Sequence, residues 1–346
     1  MFFLILNTTI CILILLIINY ILTKKKLLID SPEFSHHKYK HKKIIPLSGG
    51  LFFIISYFIF SFIYNLDNKI ILFLIPLLFV GIFADTKKDF SPKLRLVLQL
   101  IFIVIFIYFY KVKISSIDLN FFDNFLKNDF FNFFFVTFCL ITVLNGHNFM
   151  DGLNGLVIGN LLLILAGIYL ISHYNGISIE SELSQKLIIA TTTCFIFFIF
   201  NLFGKCFLGD NGVYIFSLFI SLMVISFIES SNNLVSPLIA ATFLWYPAYE
   251  NLFSILRRLK RKQTISKPDN LHLHILFKNY IIIKLGKKLN YNFVNSISGF
   301  LIILFLLPNL ILSIIWFNSS YKLLYLIIFQ IIIYMIIYAK LIKFKK

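Results

Sequence analysis

The residues best suited to chemistry in this sequence are carboxylates, amides and imidazoles, gathered in short polar islands between long apolar runs. The sharpest island is Asn145-Gly146-His147-Asn148-Phe149-Met150-Asp151-Gly152-Leu153-Asn154-Gly155-Leu156. Asn145, Asn148, Asp151 and Asn154 recur every third residue, a spacing that keeps neighbours close on a helical turn. Segments 130–144 and 156–171 on either side read as membrane helices. Polar groups at the mouth of a helix pair are costly in a bilayer unless they line a polar cavity or a water-filled cleft. The island is therefore either a hydrophilic loop or a site for a polar or phosphorylated substrate at the membrane surface.

Four further islands carry chemical potential. Lys38 to Gly50 is basic and ends in Gly49-Gly50; the glycine pair lets backbone approach a ligand closely, and Lys42 or Lys43 can hold a phosphate as a point charge. In Ala84 to Arg95, Asp85 sits at an apolar boundary, where an unpaired carboxylate needs a reason. Ser91-Pro92 reads as the N-cap and first position of a helix. Lys93 and Arg95 would then lie in its first turn, the wrong end for cations by the helix dipole, which points to a bound anion. Phe207-Leu208-Gly209-Asp210-Asn211-Gly212 places a carboxylate between glycines at a helix entry, as a helix cap or as a ligand. Asp210 and Asn148 together offer the hard oxygen donors that Mg²⁺ takes alongside phosphate and water.

The last island runs from Glu250 through Arg257-Arg258-Leu259-Lys260-Arg261-Lys262 to Lys267-Pro268-Asp269-Asn270-Leu271-His272-Leu273-His274. Its basic run suits anionic lipid head groups. In an extended segment His272 and His274 face one way. Two His without a third ligand are a weak zinc signal, and phosphate binding or proton handling suits them better.

The elements that must position these islands are membrane helices. Of 346 residues 59% are hydrophobic, and the mean hydropathy is +0.90. That composition excludes a soluble domain. A spanning helix needs about 17–25 residues, which places eleven, near 2–22, 47–64, 70–84, 96–112, 129–145, 156–173, 187–203, 212–229, 234–254, 293–317 and 323–342. The net charge of +17 raises nucleic acid as a partner, but the basic residues lie in loops between spans, which argues against it. Loops 23–46, 85–95, 146–155, 204–211 and 255–292, with the tail and Lys340 just before it, hold all the Lys and Arg except Lys69, Lys111, Lys113, Lys127, Lys186 and Lys322. The positive-inside rule makes their side cytoplasmic, with the N-terminus outside and the C-terminus cytoplasmic. Segment 1–22 reads as a first span rather than a cleaved signal. Cys11, Cys139, Cys194 and Cys206 lie in or beside spans, with no disulfide expected. The expected architecture is an all-α polytopic membrane protein, a single domain over 1–346 with one composite cytoplasmic-face site.

The order of these islands resembles the polyprenyl-phosphate N-acetylhexosamine-1-phosphate transferases, over roughly residues 30 to 277. Asn145 to Leu156 is similar to the family's Asn-x-x-Asn-x-x-Asp-Gly-x-Asn-Gly-Leu signature, Phe207 to Asp210 to its Gly-Asp metal motif, and Lys267 to His274 to the Pro-Asp-x-x-His-x-His loop of the O-antigen-priming branch. His41 to Gly50 and Ser91 to Arg95 resemble its first cytoplasmic loop and the segment after its acidic pair. One departure stands out: where the family has Asp-Asp-x-x-Asp, this chain has Ala84 and Asp85, with Asp89 one place late.

The resemblance implies transfer of a sugar-1-phosphate from a UDP-N-acetylhexosamine to polyprenyl phosphate, with release of UMP, at a bacterial inner (cytoplasmic) membrane. It implies Mg²⁺, with Mn²⁺ as an alternative, held by Asn148 and Asp210. Asp85, Asp210 and His272 become the catalytic candidates; Lys42, Lys93, Asp151, Asn154, Arg257 and His274 become the substrate-binding ones. The implied partners are the UDP-sugar, the lipid phosphate and the bilayer, and a homodimer is admitted. Two other classes compete. A transporter needs charges near the midplane, whereas these cluster at one face. A Mg²⁺-dependent prenyltransferase fits Asp85-x-x-x-Asp89 but needs a second acid pair, and Asp210 stands alone.

Overall fold

The computed structural model describes residues 2–30, 44–87, 89–262, 270–285 and 290–345. They form α1 (Phe2–Lys25), β1 (Ile29–Asp30), β2 (Ile45–Pro46), α2 (Gly49–Ile63), α3 (Lys69–Thr86), α4 (Pro92–Tyr110), α5 (Asn120–Leu126), α6 (Asp129–Met150), α7 (Leu156–Asn175), α8 (Ser181–Leu202), α9 (Gly209–Ser230), α10 (Leu238–Phe243), α11 (Trp245–Lys260), α12 (Leu273–Leu285), α13 (Tyr291–Ile315) and α14 (Ser320–Leu341), with a short 3-10 turn at the end. The dominance of helix follows from the solvent. A lipid-facing backbone must satisfy its own hydrogen bonds, and a helix does so within one segment.

Nine of the described helices are long and apolar enough to cross a membrane, and α2 is a shorter apolar helix. The fold is therefore an all-α polytopic membrane protein. The expected span 234–254 takes another form: it is broken at Leu244 into the short α10 and the charged α11. The chain 146–155, expected as a loop, is helical as far as Met150, so His147 and Asn148 sit on α6 itself. At α4 the expected start holds: Ser91 caps the helix, its Oγ accepting the Leu94 N–H at 3.1 Å, with Pro92 at the first position.

α9 is the central post. In its most apolar stretch 83% is buried, against 61% for α7, the next highest, and a helix apolar on all sides belongs inside. Phe53 of α2 packs edge-on against Phe216 and Phe219 of α9, with ring centroids 4.7 and 4.9 Å apart. Without a hydrophobic drive between helices in lipid, small residues let backbones close in. A Cβ on Gly81 of α3 would lie 2.2 Å from Asn211 Cα, and one on Gly50 would lie 2.6 Å from Asn211 O. Gly49-Gly50, expected to admit a ligand, instead admits the start of α9, because helix packing at this depth needs the same missing side chain. β1 pairs antiparallel with β2. The Phe207 N–H donates to Pro46 O at 2.9 Å and the Ser48 N–H to Phe207 O at 3.1 Å, stitching the entries of α2 and α9 together.

Candidate active site

The site is built on the first turn of α9. Gly209, at φ +66°, turns the chain into the helix, a conformation that costs glycine little. Asp85, in the last turn of α3, fixes that turn. Its Oδ1 accepts the Asp210 N–H at 2.8 Å, and its Oδ2 accepts the Asn211 N–H at 3.0 Å and Asn211 Nδ2 at 2.6 Å. A carboxylate against helix-start amides is favoured by the donors and by the dipole. Asn211 carries the link onward: its Oδ1 accepts the Gly50 N–H at 2.7 Å, and its Nδ2 donates to Leu47 O at 3.1 Å.

Held in this way, Asp210 meets two neighbouring helices. Its Oδ2 accepts from Arg95 Nη1 at 2.7 Å and Tyr214 OH at 3.1 Å, and its Oδ1 accepts from Asn148 Nδ2 at 2.9 Å. The Arg95 cation expected at the wrong end of its helix thus has its anion, and that anion is a carboxylate 115 positions further along the chain. Lys93 and Asp89 are exposed, so Asp85 and Asp89 do not act as a converging pair. Lys42 lies outside the described residues, as does the Lys267-Pro268-Asp269 part of the last island.

The donor set suits a hard divalent cation. Mg²⁺ takes one or two protein oxygens and completes its shell with phosphate and water. The Asp210 carboxylate and the Asn148 amide already touch, and a half-turn of that amide would put two oxygens side by side. Among the described residues no three His, Cys, Asp or Glu side chains converge on a closed metal cage. The cation that fits is one with few protein ligands.

A second cluster borders the first through Phe149, the residue after Asn148. The His272 ring lies 5.1 Å from the Phe149 ring and 5.5 Å from the His274 ring, stacked on the latter at 17°. The Arg258 guanidinium lies over Phe149 at 5.8 Å. Arg257 Nη2 donates to Ser254 Oγ at 2.8 Å, its guanidinium lying over the Phe253 and Tyr338 rings. His272 Nδ1 is 2.9 Å from Glu250 Oε1, and Glu250 Oε2 accepts from Tyr334 OH at 2.7 Å. His274 is fully buried. That burial, with the charges of His272 and Lys278 nearby, pushes its pKa well below the usual histidine range, so it is a neutral ring.

The turn 151–155 is tied down from the far side. The Asn154 N–H donates to Asn295 Oδ1 at 2.6 Å and its Nδ2 to Ser296 Oγ at 3.0 Å, while Asn295 Nδ2 donates to Gly152 O at 3.2 Å. Asn154, expected at the substrate, brackets the turn to α13, because buried turn amides must find partners. Asp151 is buried at the foot of α6, and Asn145 Nδ2 donates to Gln99 Oε1 at 3.1 Å. Asn211 and Tyr334 carry no signal of role in their own segments, and Glu250 is distinguished only as a charge at the end of an apolar run.

A bundle of membrane helices that collects carboxylate, amide, imidazole and guanidinium groups at one end defines a polytopic membrane protein with a polar cluster at that end. Residues 68–228 match Glycosyl transferase family 4. The matched region includes Asp85, Arg95, Asn148 and Asp210 and stops short of α11. Among similar proteins, the undecaprenyl-phosphate alpha-N-acetylglucosaminyl 1-phosphate transferase of Thermotoga maritima is 28% identical over 77% of this chain and 77% of its own length. A Bacillus subtilis protein named "Probable undecaprenyl-phosphate N-acetylglucosaminyl 1-phosphate transferase" is 27% identical over 76% of this chain and 74% of its own. The Salmonella typhi undecaprenyl-phosphate alpha-N-acetylglucosaminyl 1-phosphate transferase is 27% identical over 72% and 68%.

Proposed function

We propose that the protein transfers an N-acetylhexosamine 1-phosphate from a UDP-sugar to undecaprenyl phosphate or a related polyprenyl phosphate. The products are polyprenyl-pyrophosphate-sugar and UMP, and the reaction begins a surface glycan or cell-wall polymer on the cytoplasmic face of a bacterial inner membrane. The observation that carries the reading is the Asp210 carboxylate, held by Arg95, Tyr214 and Asn148 at a helix start on the bundle's polar end. The names of the relatives carry the same lipid phosphate and an N-acetylglucosaminyl 1-phosphate group.

In the reaction an oxygen of the lipid phosphate attacks the β-phosphorus of the UDP-sugar, and the bond from that phosphorus to the bridging oxygen breaks, so that UMP leaves. Such transfers depend mainly on positioning and on neutralising phosphate charge. A phosphate with its second pKa near ~6 is already mostly dianionic at neutral pH, so the attack needs no general base. Asp85, whose oxygens are engaged by α9, accordingly serves by holding Asp210 in place. Asp210 and Asn148 would hold a divalent cation, which when bound would supply Lewis-acid neutralisation of the pyrophosphate and of departing UMP. Arg257, Lys93, Lys42 and His272 bind phosphate oxygens, and His274 supports the His272 ring. Asp151 borders the nucleotide on a turn that Asn154 shapes.

The test is a membrane assay with undecaprenyl phosphate and a panel of UDP-N-acetylhexosamines, reading UMP. UMP should form with at least one sugar and only when the lipid phosphate is present. Release independent of the lipid, or from no UDP-sugar at all, overturns the reading.

A further inference from the structure

Glu250 is fully buried within α11, and its carboxylate has a defined partner at each oxygen. A buried carboxylate between helices is expensive and persists only when its hydrogen bonds are complete. Here the two partners come from two different elements. Tyr334 donates from α14, the last helix of the chain, and His272 stands at the entrance of α12.

Tyr334 is itself held by rings. It lies edge-on to Tyr249 at 4.9 Å and to Phe253 at 5.5 Å, and stacks with Tyr338 at 6.1 Å and 8°. α14 thus presses an aromatic wall against the face of α11 that carries Glu250 and Arg257. Among the described residues His272 is engaged through Nδ1: Glu250 lies at 2.9 Å and Ser254 Oγ at 3.4 Å. A ring nitrogen facing a carboxylate carries the proton, and this fixes which nitrogen remains for the substrate side.

We propose that Glu250 and Tyr334 are positioning residues: Tyr334 OH fixes the Glu250 carboxylate, which takes the Nδ1–H of His272 and so leaves Nε2, once it takes up a proton, to donate to the reacting phosphates. The phosphate half of this statement rests on the transferase reading; the tautomer half does not. The C-terminal helix, beyond the residues that match the family, becomes part of the site's support.

The test uses the full chain in lipid nanodiscs with ¹⁵N-labelled histidine. The His272 resonances are identified by their loss in His272→Ala. Nδ1 should carry a proton in the wild-type protein, and its resonance should shift in Glu250→Gln and in Tyr334→Phe. Tyr334→Phe keeps the ring packing, so it serves where Glu250→Gln folds poorly. A wild-type His272 protonated at Nε2 alone overturns the proposal, whatever the reaction. In the UMP assay Glu250→Gln should lower kcat by about 10- to 100-fold, the range for partners that orient a functional His, with KM for the UDP-sugar little changed. In a His272→Ala background Glu250→Gln should cost nothing further. Equal losses in both backgrounds would make Glu250 merely structural. Absence of UMP from the wild-type protein would remove the transferase reading and leave the tautomer result standing.

Discussion

Replacing Asp210 by Asn separates what the carboxylate does for the fold from what it does for the reaction. The amide keeps the shape and loses the charge, so Arg95 loses its anionic partner and one acceptor oxygen becomes a donor facing other donors. The side chains are 28% exposed for Arg95 and 6% for Asp210, so water reaches the cation and the full penalty of a stranded buried charge does not apply. The expected cost is that of a charge-assisted hydrogen bond, about 1.5–3 kcal/mol. The Asp85 contacts to the α9 amides survive, since they use the backbone of residue 210. The protein should therefore stay folded in membranes with a modestly lower melting midpoint. Transfer should all but vanish, because a lost metal-bound carboxylate removes several kcal/mol of charge stabilisation, and ~4 kcal/mol is roughly a thousandfold in rate. The assay is UMP release at saturating Mg²⁺, run beside Arg95→Gln. If Asp210 served only to pair with Arg95, both variants would lose equal activity. A wild-type rate in Asp210→Asn would refute the metal assignment outright.

Asp85→Asn should impair transfer strongly and Asp89→Asn little, because Asp85 holds the first turn of α9 whereas Asp89 is exposed; equal losses in UMP release would favour the paired acids of a prenyltransferase. Activity should survive a zinc-specific chelator when Mg²⁺ is supplied, yet fall in His272→Ala. Loss on chelation that only zinc restores would mean that the two histidines bind metal. Single cysteines introduced by Asn68→Cys, Ser181→Cys and Ser319→Cys into a cysteine-free chain should react with an impermeant thiol reagent on cells with a permeabilised outer membrane. Lys262→Cys should be spared; its labelling would put the site on the wrong side of the membrane for a cytosolic nucleotide donor.

Helices of spanning length and the gathering of polar islands at one end of them were legible from residue types and spacing alone. Run length and hydropathy are local properties. A bilayer makes them diagnostic because every lipid-facing peptide group must bond within its own helix. The misplaced cation at Arg95 was legible too, as a cation in need of an anion. That the anion is Asp210, and that Asp85 holds the turn beneath it, depends on α3, α4 and α9 meeting at one end. The same holds for Asn154 turning to α13, for Gly81 and Gly50 yielding to Asn211, and for Tyr334 reaching Glu250 from 84 positions away. None of these partners lies within a helical turn in sequence. Their choice is set by which helix faces pack together, and in lipid that is decided by close backbone approach and by the need of each buried polar group to find a partner, not by the pattern of any one segment.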